Sequence, residues 1–230
     1  MTLTHLVSGA TSGIGKAIAQ RLSARGDRVI PIVRSPQQAA SLGAERYVCC
    51  DLSEPHRVQA ALRGFNDPVY SFIHCAATTL GRSLFDCRLE EVMALMNVNL
   101  LSPMVMCAEL KKNIQPGGAI VLFTSQSAYR GGFDDAYNTS KGGINTLIKS
   151  MALKYAPLVR VFGIAPGITL DTRMTRERMA DDLEPIRSQI PLKRFGEPGQ
   201  IAELVECLIG TAGAYVTGAV FDVNGGYYLR

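Results

Sequence analysis

The 230-residue chain contains no tryptophan, only three histidines, and 19% charged residues. Its six cysteines (Cys49, Cys50, Cys75, Cys87, Cys107, Cys207) show no C-x-x-C spacing. With histidine so sparse, neither a metal cluster nor a disulfide framework is expected, and the thiols read as reduced. No uninterrupted apolar run approaches the roughly 20 residues that span a bilayer, so no membrane crossing is expected. Basic tracts are also missing. The 24 Lys and Arg and 20 Asp and Glu are dispersed, leaving a net charge of +4 and no surface made for nucleic acid or anionic lipid. The first residues carry neither a basic n-region nor an apolar h-region, so a cytoplasmic location is the expectation.

Apolar side chains are abundant, at 47%, enough to bury a sizeable core, and the length suits one domain over 1–230. Seven short β-branched runs are spaced along it: His5 to Val7, Arg28 to Val33, Tyr47 to Cys50, Val69 to Cys75, Ala119 to Thr124, Val159 to Ile164 and Ala219 to Val223. Segments of helical period separate them, which is the pattern of an α/β protein with a parallel sheet covered on both faces. Runs such as Ile120 to Phe123 are almost continuously apolar, as strands buried on both faces must be.

Ile14, Ala17, Ile18 and Leu22 line one face of a helix stopped at Gly26, and Ile144, Leu147, Ile148, Met151 and Ala152 one face of a helix from Tyr137 to Tyr155. A further helix covers Gln200 to Ile209. The stretch Arg88 to Ile114 is broken at Asn97, Asn99, Ser102 and Pro103, giving two helices or one kinked helix. Pro31, inside the second run, predicts an edge strand or a bulge because it has no N–H for a ladder. Residues 169–198 mix charge, proline and glycine and read as an excursion from the domain.

Three segments carry chemistry. Ser8-Gly9-Ala10-Thr11-Ser12-Gly13-Ile14-Gly15 lies between a strand and a helix, where glycines let backbone approach a pyrophosphate and the helix N-terminus offers free N–H groups. Tyr137 and Lys141 stand one helical turn apart, where an ammonium can favour the ionised form of a phenol. Ser125, at the end of the fifth strand, can bond a carbonyl oxygen, with Thr124 and Ser127 as competing hydroxyls.

In order and spacing these motifs resemble the short-chain dehydrogenase/reductase family over essentially the whole chain. Asn99 in Asn97-Val98-Asn99, Pro166-Gly167, Ile190 to Pro198 and Val223-Asn224-Gly225-Gly226 match further family landmarks. The resemblance implies a Rossmann-type, doubly wound three-layer sandwich with a seven-stranded parallel sheet. It implies a catalytic set of Asn99, Ser125, Tyr137 and Lys141. The cofactor residues it implies are Gly9, Thr11, Ser12, Gly13, Ile14 and Gly15 in the first loop, Asp51 and Leu52 at the adenine, Cys75, Ala76 and Ala77 after the fourth strand, and Tyr137, Lys141, Pro166, Gly167 and Ile168 about the nicotinamide. Where the family has N-N-A-G, this chain has His74-Cys75-Ala76-Ala77, and His74 reads as a satisfied core imidazole. Phe162 and Asn224 replace a customary Asn and Asp, and the second helix is abbreviated to about Pro36 to Leu42.

At the end of the second strand Arg34 and Ser35 stand where an acid would select NAD, so NADP(H) is the expected cofactor and NAD(H) the alternative. The reaction implied is hydride transfer that reduces a ketone, a 3-oxoacyl thioester or a secondary-metabolite ketone, to a secondary alcohol. Alcohol oxidation and a non-catalytic NADP-binding sensor or assembly protein are the other readings. The substrate is a small carbonyl or alcohol compound, free or bound to CoA or a carrier protein, which Arg130, Arg173 and Arg176 could meet. A homo-oligomer, dimer or tetramer, is expected through Met93, Met96, Met104, Met106 and Tyr227-Tyr228-Leu229.

Overall fold

The computed structural model describes residues 2–172, 175 and 183–230. Its seven strands are β1 (Thr4–Ser8), β2 (Arg28–Val33), β3 (Val48–Cys49), β4 (Val69–His74), β5 (Ile114–Phe123), β6 (Arg160–Pro166) and β7 (Val220–Val223). They form one parallel sheet in the order β3-β2-β1-β4-β5-β6-β7. Helices α1 (Gly13–Ala24), α2 (Pro36–Ser41), α3 (Pro55–Arg63), α4 (Leu89–Met96), α5 (Ser102–Glu109), α6 (Ser127–Arg130), α7 (Asp135–Tyr155), α8 (Glu184–Gln189) and α9 (Pro198–Ile209) connect them.

Two apolar clusters sandwich the sheet. Leu6, Phe72, Ile120 and Leu122 point to the side where α7 contributes Ile144 and Ile148 and α5 contributes Met106. Alternate residues Val7, Ile73, Val121 and Ile164 point to the side of α1 (Ile18, Leu22) and α9 (Ile201, Val205). Period-two strands thus feed both cores, which explains their unbroken apolar character.

Pro31 departs from the sequence expectation: β2 lies inside the sheet, paired with β1 on one side and β3 on the other. The geometry of β3 resolves the conflict. Cys50 N–H donates to Val33 O, so Val33 faces β3, and Pro31, two residues earlier, faces the same way. Pairing with β3 starts only at Ile32, opposite Val48, so at Pro31 no ladder N–H is needed.

The interruption after α4 is a π-turn, Asn97–Leu101, in which Ser102 N–H reaches back five residues to Asn97 O. Pro103 has no N–H to give the Asn99 carbonyl four residues before it, so an unbroken α-helix is forbidden there by sequence. Taken together, Leu89–Lys112 is long and apolar enough by composition to cross a membrane, with a mean hydropathy of 1.4 in its best window. The sequence expectation counted only unbroken apolar runs and did not register it. The helix packs on α3 and α7, burying Leu95, Asn99, Ser102 and Met106 while Met93 and Met104 stay exposed. Met106 is therefore core, not interface.

Two histidines are wholly buried. His5 Nδ1 meets Ser71 Oγ at 2.7 Å and Nε2 meets Asp27 at 3.3 Å, at the edge of the sheet opposite the loops described below. Burial holds His5 neutral against the pull of Asp27. Burial also lowers His74, to about 3, with the Lys141 charge adding to the effect. Both pKa values lie below the unfolded 6.5, so the unfolded chain takes up protons first as pH falls and stability present above pH 6.5 is lost below it. For His74 alone the loss is about 1.4 kcal/mol per pH unit until pH nears its folded value. Urea unfolding at pH 7.5 and 5.5 should show this fall, and His74→Gln should flatten it.

Candidate functional site

In the sheet order the chain runs outward in one direction from β1 and in the other from β4, so the connections leaving these neighbours part and open a crevice at their carboxyl ends. A cleft of about 850 Å³ lies there. The loop after β1 forms its floor, and two glycines set the floor's height. A Cβ on Gly9, whose φ is +72°, would stand 2.8 Å from Ala76 N, and one on Gly15 would stand 2.3 Å from Gly9 O. Only glycine lets the loop pack this tightly on the segment after β4 and on its own turn. Ser12 precedes α1 without a side-chain cap, leaving the first-turn N–H groups open to an anion. This floor fits the pyrophosphate of a dinucleotide.

Gly9, Thr11, Ser12, Gly13, Ile14, Gly15, Asp51, Leu52, Cys75, Ala76, Ala77, Pro166, Gly167 and Ile168 all line the cleft. So does Arg34, exposed at the end of β2. Ser35 does not line it; it stands just before α2, and Gln38 faces the cleft instead, accepting from Arg34 N at 2.9 Å. Asp51 accepts from Ser53 N and Oγ, bonds that with the nearby Arg34 and Arg57 charges hold its carboxyl below the usual range against the effect of burial. Ser8 Oγ accepts from Ala76 N and meets His74 Nδ1 at 2.9 Å, so a serine and a histidine brace the strand ends where the family has amides. His74 is not fully satisfied as expected, because its Nε2 has no partner among the described residues.

Tyr137, Lys141 and Ser125 all line the cleft. Lys141 is 2% exposed, and its Nζ donates to Phe123 O at 2.8 Å and lies 5.7 Å from the Tyr137 ring centre. Burial pulls the Lys141 ammonium down to about 8, with Cys75 acting weakly the other way. At neutral pH it keeps its charge. Thr124 Oγ1 donates to Lys141 O, which commits that hydroxyl to positioning α7. Ser125 Oγ, on the cleft, accepts from Ser127 N at 3.2 Å and Ser127 Oγ at 2.9 Å, so of the three candidate hydroxyls Ser127 supports Ser125.

Asn99 is buried behind the wall and does not line the cleft. Its Oδ1 accepts from Thr78 N at 2.8 Å, and its Nδ2 donates to Thr78 O at 2.9 Å and Ser140 Oγ at 3.1 Å. The amide is thus committed to holding Thr78 and the first turn of α7.

Asp134 is the residue the sequence reading missed. It caps α7, accepting from Tyr137 N at 2.9 Å, while its other oxygen accepts from Leu80 N and Gly81 N, both at 2.7 Å, and from Thr79 Oγ1. Although burial opposes it, these donors hold the carboxyl below its ordinary value. An Asp three residues before the Tyr of a Y-x-x-x-K motif is an N-cap signal that could have revealed it. Gln126 was also missed; it lines the cleft with a buried Oε1 that has no partner among the described residues.

At the outer end Arg130 and Tyr227 line the cleft together, the guanidinium 4.4 Å over the ring. Of the excursion at 169–198, Thr169, Thr172, Thr175, Leu183 and Ile186 face the cleft. Arg173 and Arg176 lie outside the described residues.

A family model described as enoyl-(acyl carrier protein) reductase matches residues 9–228. Among curated proteins the chain is 31% identical over 241 residues to carbonyl reductase family member 4 of Xenopus laevis, covering 100% of both. It is 32% identical over 234 residues to 3-oxoacyl-[acyl-carrier-protein] reductase of Mus musculus, covering 97% of each. Among solved structures, a short-chain dehydrogenase/reductase, glucose/ribitol dehydrogenase, from Brucella melitensis superposes with a TM-score of 0.90 at 26% identity over 100% of both chains. A blue fluorescent protein from a metagenomic library, in complex with NADPH, gives 0.87 at 25% identity over 99% of this chain and 98% of that one.

Asp134→Asn keeps the shape but leaves one acceptor oxygen for bonds now shared between two. Chemical denaturation should show a loss of about 1–3 kcal/mol, the range of a buried network that loses a cap and charged hydrogen bonds.

Proposed function

Because the chain belongs to the short-chain dehydrogenase/reductase family of NAD(P)-dependent oxidoreductases, we propose that it uses NADP(H) to reduce a ketone to a secondary alcohol. The observation that carries this reading is the wall where Tyr137, a buried and charged Lys141, and Ser125 border one cleft with the glycine floor. A 3-oxoacyl thioester or a secondary-metabolite ketone is the substrate class in view.

Bound NADPH supplies the hydride; the rest is the work of this chain. Ser125 Oγ holds the carbonyl oxygen and restrains its approach, with Ser127 fixing the hydroxyl's direction. Tyr137 gives the proton to the oxygen as negative charge develops there. Lys141, one turn along α7, lowers the cost of leaving the phenol ionised and holds the nicotinamide ribose with N–H donors that Phe123 O does not take. Asn99 organises a water-linked path through which Tyr137 regains its proton. The glycine floor and the open first turn of α1 hold the pyrophosphate, and Pro166, Gly167 and Ile168 the nicotinamide side.

Arg34 supports the NADP(H) preference. It stands at the end of β2 with no acid beside it on that strand, and a guanidinium pairs with a 2′-phosphate that a carboxylate would repel. The exposed apolar face of Leu89, Met93, Leu101 and Met104 supports assembly into a homo-oligomer, dimer or tetramer.

Two outcomes follow. Tyr137→Phe should bind NADPH, read by nucleotide fluorescence, while NADPH absorbance decay with a responsive ketone falls by about a hundredfold or more. Arg34→Glu should raise KM for NADPH by about tenfold or more and move preference toward NADH; an unchanged NADPH to NADH ratio would exclude Arg34 as the selector.

A further inference from the structure

Resting on the reductase reading, we propose that the substrate is an oxo acid whose carboxylate is bound by Arg130 on the outer wall of the cleft. The charges lining that end do not balance. Glu91 is engaged by Arg82 at 2.6 Å and by Arg88 at 3.3 Å. Asp134 already accepts from Thr79, Leu80, Gly81 and Tyr137. Among the described residues no carboxylate pairs with Arg130, and its guanidinium meets only the ring of Tyr227.

That ring is held in place from behind. Tyr228 stacks on Tyr129, with ring centres 5.8 Å apart, and Arg230 lies 4.1 Å over the Tyr129 ring and donates to its hydroxyl at 2.8 Å. Arg230 is itself tied to Asp222 Oδ2 at 2.6 Å and to Val220 O at 2.7 Å. The C-terminal segment thus grips α6 and keeps Tyr227 under Arg130. Stacking restrains the guanidinium in one plane and leaves its N–H edge free for a planar anion.

Arg130 is exposed on the cleft wall, and its N–H donates to Gln126 O at 3.3 Å, closing the helical turn that follows Ser125. The chain from Ser125 to Arg130 is one tight helical stretch, roughly 8 Å long by helical rise. The guanidinium therefore reaches an anion a few bonds from a carbonyl held at Ser125, which suits a carboxylate better than a phosphate at the far end of a carrier's thioester arm.

The test compares wild type with Arg130→Gln. NADPH oxidation is followed with acetoacetate and 4-oxopentanoate, each beside its methyl ester, and with acetoacetyl-CoA beside the acetoacetyl thioester of N-acetylcysteamine. Binding of 3-hydroxybutyrate to the NADP⁺-loaded protein is followed by calorimetry. The acid-to-ester ratio of kcat/KM should fall by about tenfold or more in the variant, and 3-hydroxybutyrate should bind about tenfold more weakly. Measurable ester turnover reports that the variant is folded. An unchanged ratio overturns the proposal, and so does an Arg130-dependent preference confined to acetoacetyl-CoA, which would make the anion a carrier phosphate. If wild type reduces no ketone, the reductase reading fails, and calorimetry decides separately: Arg130-dependent binding of the hydroxy acid upholds the carboxylate site, and Arg130-independent binding removes it.

Discussion

A single ammonium group, buried without a carboxylate partner among the described residues, sets the terms for the rest of the site. Lys141 is placed under the cleft by α7 and donates to the carbonyl of Phe123, the last residue of β5. Desolvation lowers its pKa but leaves it charged at neutral pH. His74, on the neighbouring strand, is kept neutral chiefly by its own burial with the Lys141 charge adding to the effect, and the Cys75 thiol, raised chiefly by its own burial, stays protonated. The chemistry available at the wall is therefore that of one positive charge beside one phenol.

Holding that charge in register requires the segment after β4 to stay still. Asn99 grips it at Thr78 from one side, and Asp134 grips it at Thr79, Leu80 and Gly81 from the other while capping the helix that bears Tyr137. Asp135 adds bonds to Leu84 N and Ser83 Oγ. Several of the most polar side chains near the cleft act on backbone, and what they supply is geometry. The π-turn belongs to the same arrangement, because it lets Asn99 face this segment while α4 and α5 continue to cover the sheet.

Much of this was legible in the chain. Strand and helix alternation was readable because buried parallel strands are apolar on both faces and amphipathic helices are not. The glycine segment was readable because only glycine tolerates the approaches at positions 9 and 15. Boundaries shifted where pairing, not composition, ends a strand: β3 is two residues long, and β5 begins at Ile114, well before its apolar run. Helix α3 was missed because its polar face outweighs its two buried residues, Val58 and Leu62.

Residue types at fixed spacing along single elements were determined by the sequence alone: the glycines that let a loop close, the tyrosine and lysine one turn apart, the proline that denies Asn99 its helical partner. These follow from local sterics and helical geometry, which act over a few residues and need no knowledge of what lies across the fold. Only the tertiary structure decided which polar groups remain available once all are packed. Pro31 is harmless because a neighbouring strand starts one residue late. Ser35 yields its place to Gln38, His74 is left with an unmet nitrogen, and Arg130 rests on a ring from the far end of the chain. Those outcomes depend on contacts between residues distant in sequence, and a hydrogen-bonding group is committed or free only with respect to whatever the fold brings beside it.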